Sequence, residues 1–117
     1  MEEGVVQWPS VKGGIRVDIV RFVEAYQPGI VSCEFWDAQC HRHEFVGKVD
    51  YFTAESLHED SSYPQSGVIP CEVIERWKDT SGGELVRVST GSPLDLESTE
   101  GLSEFVVMPH QLSAPFF

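Results

Sequence analysis

Val68-Ile69-Pro70-Cys71-Glu72-Val73-Ile74-Glu75-Arg76-Trp77, then Asp79-Thr80-Ser81-Gly82-Gly83, then Leu85-Val86-Arg87-Val88-Ser89-Thr90: two runs rich in β-branched residues, joined by a glycine-containing connection, read as a β-hairpin. The Gly82-Gly83 pair supplies the positive φ that a short hairpin loop requires. Gly91-Ser92-Pro93 breaks the return strand. Ser98-Thr99-Glu100-Gly101 reads as a turn, and Glu104-Phe105-Val106-Val107-Met108 as a further strand ended by Pro109.

Towards the N-terminus the pattern is of the same kind. Residues 5–8 (Val-Val-Gln-Trp) read as a short strand stopped by Pro9, and Lys12-Gly13-Gly14 as a turn. In residues 15–26, Ile15, Val17, Ile19 and then Phe22 point one way, with a phase slip near Val20. That predicts a bulged strand, although Val17, Val20, Arg21 and Glu24 also fit helical spacing. Gln27-Pro28-Gly29 is a turn signal. Val31, Cys33 and Phe35 alternate with Ser32, Glu34 and Trp36, and after the loop Asp37-Ala38-Gln39-Cys40 the chain returns over residues 41–49. Thr53 at the head of Ala54-Glu55-Ser56-Leu57 suggests an N-capped helical turn. Residues 58–67 are polar and turn-rich. The tail from His110 ends in Phe116-Phe117, which either packs back on the body or frays. The expectation is one all-β domain over residues 1–117: a small β-sandwich or partly open barrel of six to seven mostly antiparallel strands, with at most one short helix.

Composition narrows the function classes. The 117 residues carry 19 acids and 8 Lys/Arg, a net charge of −11, with 41% apolar residues. The basic residues are scattered with no basic stripe, so neither nucleic acid nor an anionic membrane surface is an expected partner. No apolar run approaches the roughly 20 residues of a membrane span. The start Met1-Glu2-Glu3-Gly4 lacks the basic region of a secretory signal. Three cysteines without a CxxC pair point to a reducing cytoplasm and free thiols, with Cys33 and Cys71 at core positions. Residues 59–117 hold ten acids against three bases, and none of the bases follows Arg87. Such a one-signed segment attracts a basic protein partner. The candidate contact residues are Glu59, Asp60, Asp95, Glu97 and Glu100, in turn-rich segments, and Trp77 at a strand end.

The densest polar cluster is Cys40-His41-Arg42-His43. If Asp37–Cys40 is the whole loop, Trp36 opposes His41 and Glu34 opposes His43, placing all four on one solvated sheet face. Two imidazoles and a carboxylate are a conceivable metal set, but no third fixed ligand is visible, so no metal site and no cofactor are assigned. No GxSxG, HExxH or P-loop occurs, and no catalytic residue is assigned.

The segments Trp77-Lys78-Asp79, residues 83–90 and residues 97–107, with Phe45-Val46-Gly47-Lys48-Val49 and Gly67-Val68-Ile69-Pro70-Cys71-Glu72-Val73, resemble small bacterial proteins of about this length. Small acidic cytoplasmic proteins of this build are similar to the immunity proteins of bacterial toxin systems. The resemblance implies a non-catalytic protein that binds a toxin domain, often a basic nuclease, and blocks it. The alternatives are a structural or regulatory subunit without catalytic activity and a small metal-dependent enzyme using the His41/His43 face.

Overall fold

The computed structural model describes residues 11–24 and 29–113. The expected strand at residues 5–8, Trp8, the Gln27-Pro28 turn and the Phe116-Phe117 tail lie outside these. Seven strands form a single curled sheet: β1 (Val11–Glu24), β2 (Ile30–Trp36), β3 (Arg42–Lys48), β4 (Gln65–Lys78), β5 (Glu84–Ser89), β6 (Glu104–Val107) and β7 (Leu112–Ser113). The order is β3-β2-β1-β4-β5-β6, every pair is antiparallel, and β7 adds to β1. Of the two expected architectures this is the partly open barrel. Its edge strands approach each other through two backbone hydrogen bonds, Ala38 N–H to Val106 O (2.8 Å) and Thr99 N–H to Glu44 O (2.8 Å).

The inner face follows the period of two. Ile15, Val17 and Ile19 of β1 join Val31, Cys33 and Phe35 of β2, Phe45 of β3, Ile69 and Cys71 of β4, Val86 and Val88 of β5, and Phe105 and Val107 of β6. Burial pushes the Cys33 and Cys71 thiols up to about 12, so both stay protonated and pack as small apolar groups. The phase slip near Val20 is real: the β1–β2 register shifts between Ile19 and Arg21. β1 shifts register again between Phe22 and Glu24, and in β4 a shift between Val73 and Glu75 turns Glu75 and Trp77 to the outer face opposite Arg87 and Leu85.

Two local expectations are corrected. Lys12, Gly13 and Gly14 form no turn; they lie within β1, paired with Glu72, Cys71 and Pro70. Gly14 is paired with Pro70 of β4 on one side and with Ser113 of β7 on the other. The short helix is α1 (Val49–Phe52), and Thr53 is its C-cap, not the start of a helix at 53–57. Val49 and Phe52, three apart, bury one face of α1, while the Thr53 hydroxyl accepts the Glu55 N–H (3.1 Å) in a bend. Among the described residues no helix is long and apolar enough to cross a membrane.

Gly67, paired with Val17, lies under the end of α1. A Cβ there would sit 2.8 Å from Ile19 Cδ1 and 3.1 Å from the Phe52 carbonyl oxygen. Gly67→Ala is expected to cost about 1–3 kcal/mol by overpacking, read as a lowered urea midpoint. An unchanged midpoint would mean that α1 can move away freely.

Candidate functional site

The β2–β3 loop is organised by one carboxylate. Asp37 Oδ1 accepts the N–H groups of Gln39 (2.8 Å) and His41 (3.0 Å). Cys40 N–H donates to Asp37 O and Asp37 N–H to His41 O, both at 2.9 Å. Cys40 sits at φ 65, the left-handed position that follows a type I turn in this kind of hairpin. That extra residue makes the loop one longer than Asp37–Cys40. The register becomes Trp36 opposite Arg42, Phe35 opposite His43 and Glu34 opposite Glu44.

The expected solvated face of Glu34, Trp36, His41 and His43 is therefore replaced. His41 stays in the loop with its side chain 72% exposed. His43 turns inward and is 8% exposed, with its ring centre 5.3 Å from that of Phe35 and 4.7 Å from that of Phe105. Its Nε2 bonds Asp37 Oδ2 at 2.8 Å. A carboxylate accepts, so Nε2 carries the proton; Nδ1 is buried without a partner. Burial alone would raise the Asp37 pKa, but the bonds from His43, His41 and Gln39 and the attraction to His43 outweigh it and hold the carboxyl below its ordinary value. This resembles the base–orienter half of a nucleophilic site, yet the nitrogen that would serve a substrate is sealed in the core. The arrangement acts as a clamp joining the hairpin to β6. Among the described residues no group of three or more His, Cys, Asp or Glu side chains could hold a metal ion.

Outside the clamp, four arginines on the sheet are each paired with a glutamate. Arg42 meets Glu34 (2.6 Å), Arg21 meets Glu44 (3.7 Å), Arg76 meets Glu84 (3.4 Å) and Arg87 meets Glu75 (2.9 Å). Ser32, fully buried, donates to Glu44 (2.6 Å).

The candidate contact residues fall on three separate segments. Glu59 and Asp60 sit in the α1–β4 connection, whose turn is fixed by Ser61 N–H to His58 O (3.0 Å). Asp95, Glu97 and Glu100 lie in the β5–β6 connection, where the buried Thr90 hydroxyl donates to Leu96 O (2.8 Å) and Ser98 Oγ accepts the Leu102 N–H (3.1 Å). All five acids are exposed. Asp95 has φ 56, so part of its role is conformational. Trp77 is half-buried with the Arg87 guanidinium 5.5 Å from its ring centre, so one ring face already holds a cation.

A groove of about 740 Å³ lies elsewhere, where β2 parts from β1; Arg16, Asp18, Trp36, Tyr51 and Gln111 are among its lining. Among the expected contact residues it holds none. Trp36, 44% exposed, is the groove's open aromatic. Comparison with family models, with curated proteins and with solved structures found no match in any of the three.

His43→Ala should lower stability by about 2–4 kcal/mol, because it empties a site between aromatic rings and strands an Asp37 oxygen, whereas His41→Ala should stay within about 0.5 kcal/mol. Equal effects in urea titrations would refute the clamp. Asp37→Asn should cost about 1–2 kcal/mol at neutral pH. Because folding lowers the Asp37 pKa, its contribution is complete above the ordinary value of 3.8 and is lost as pH falls through the lower folded value. The stability gap between wild type and Asp37→Asn should therefore close below that pH. A gap that persists at the acid end would place the effect elsewhere.

Proposed function

We propose that the protein acts by stoichiometric association with a basic protein surface, in the manner of an immunity protein that neutralises a toxin domain. The observation behind this reading is the partition of charge. On the sheet, Arg21, Arg42, Arg76 and Arg87 are each matched by a glutamate. On the loops, Glu59, Asp60, Asp95, Glu97 and Glu100 have no ion pair among the described residues, and no Lys or Arg follows Arg87 in the sequence. Two loops thus concentrate five unpaired acids of a chain whose net charge is −11, at positions where side chains reach solvent. Encounter would be steered by that field, and residence set by packing around an aromatic such as Trp77. Buried, protonated Cys33 and Cys71 are compatible with a reducing cytoplasm.

Glu59→Lys, Asp60→Lys and Glu97→Lys together test the steering. Asp95 is spared because its positive φ would add backbone strain to the effect. Each reversal adds two charges, so three take −11 to −5. Stopped-flow association with the partner that co-purifies with the chain should slow about tenfold at low salt, and the difference should shrink near about 0.5 M salt. A salt-independent on-rate, equal in wild type and triple variant, would reduce the acids to solubility groups.

A further inference from the structure

Strand β1 changes neighbours along one side. It pairs with β7 at Gly14 and Ile15, and with β2 from Asp18 onward. At Arg16 and Val17 neither strand is paired to it on that side, and the groove of about 740 Å³ opens there. That volume lies in the roughly 300–1,000 Å³ range of ligand clefts. Its lining comes from both faces of the sheet, as a split would give: Val17 and Phe35 are core residues, whereas Arg16, Asp18 and Trp36 are exposed. Gln111 Nε2 donates to Trp36 O at 2.6 Å, which ties the segment before β7 to the end of β2 beside the groove.

The charged groups around the groove are unequal. Glu34 is held by Arg42 at 2.6 Å. Lys48 Nζ already stands 5.8 Å from the centre of the Tyr51 ring. Arg16, Asp18 and Trp36 remain: an exposed guanidinium and an exposed carboxylate, neither with a side-chain hydrogen bond or ion pair among the described residues, and an exposed indole. A carboxylate beside an open π face is a cation-binding pair. The chain's own charge of −11 favours a cationic visitor further.

We infer that this groove seats an arginine or lysine side chain carried on an extended segment of a basic partner protein, with the side-chain stem against Trp36 and its charge at Asp18. The inference rests on the proposed association with a basic protein and gives that partner a second, short-range contact. The gap between β7 and β2 spans only Arg16 and Val17, room for one side chain, and an extended segment projects its side chains singly to alternate faces. Arg16 is the group that opposes the cation, and it fixes the sign of the test.

Hexa-arginine amide is the probe, titrated calorimetrically at fixed low salt into the full chain. Asp18→Asn and Trp36→Ala, both at exposed positions, should each weaken binding about tenfold. Glu97→Gln removes the same single charge outside the groove and should change affinity less than about twofold. Arg16→Gln should tighten binding. If Asp18→Asn and Glu97→Gln act equally, the peptide senses only the general field and the groove assignment falls. If Arg16→Gln weakens binding, or the peptide does not bind, the assignment also falls. With the co-purified partner the two proposals separate. If the triple acid reversal slows association while Asp18→Asn and Trp36→Ala leave affinity unchanged, charge steering stands and the groove contact does not.

Discussion

Strand β1 is hydrogen-bonded to three other strands, and the remaining elements take their places from it. Its 14 residues pair with β4 from Val11 to Ile19, with β7 at Gly14 and Ile15, and with β2 from Asp18 to Glu24. No single neighbour follows it throughout. The register shift after Ile19 adds local bend and twist, which carries the β2–β3 hairpin round towards β6. The curl is then closed by little: two backbone hydrogen bonds, and the Phe105 ring packed against Phe35, His43 and Phe45. The same change of partner that lets the sheet curl leaves Arg16 and Val17 without a strand on one side. Closure and groove are thus two consequences of one strand being longer than any of its partners' contacts with it.

Closure makes the Asp37 carboxylate more than a turn residue. The Ala38 N–H that reaches Val106 belongs to the loop Asp37 organises, and the imidazole that Asp37 holds is the one against Phe105. Removing the carboxylate therefore loosens the loop, the histidine and the seam together, which is the behaviour of a coupled network and not of independent bonds. The cost is carried by His43 Nδ1, which is buried without a hydrogen-bond partner.

The sequence is legible where side-chain period is uninterrupted. The β4–β5 hairpin was plain from β-branched runs and Gly82-Gly83, even with Pro70 inside it, because β5 joins β4 only from Glu72 onward and a missing N–H on that side breaks no ladder. The bulge near Val20 showed as a slip in phase. What was not legible depends on backbone conformation that side chains do not announce. Cys40 in the left-handed region has neither the glycine nor the asparagine that would mark it, so the parity of β3 was misassigned by one and His43 with it. Asp37 itself carried a usable signal, since Asp is favoured at the first position of a type I turn. Gly13-Gly14 gives a false one, because both glycines run in extended backbone within β1, paired with Cys71 and Pro70. The split beside Arg16 and Val17 is a property of strand lengths in three dimensions, so no local pattern could reveal Asp18 and Trp36 as neighbours of a groove.

The acids divide by what they do for the fold. Asp37 and Asp79 are structural. Asp79 accepts from the Ser81 hydroxyl and from the Ser81 and Gly83 N–H groups at the β4–β5 turn, and those bonds, led by the Ser81 hydroxyl and the Gly83 amide, hold its pKa below the ordinary value. Glu34, Glu44, Glu75 and Glu84 neutralise arginines across the sheet, where exposed pairs contribute little to stability; Arg42 and Arg21 offset the facing like charges of Glu34 and Glu44. Glu59, Asp60, Glu97 and Glu100 neither cap a turn with their carboxylates nor pair with a base among the described residues. A charge with no bonding role in the folded chain has one physical effect left, the field it projects into solvent. That field is strongest where several such charges share a loop, which ties the surface chemistry to the connections and leaves the sheet to supply geometry.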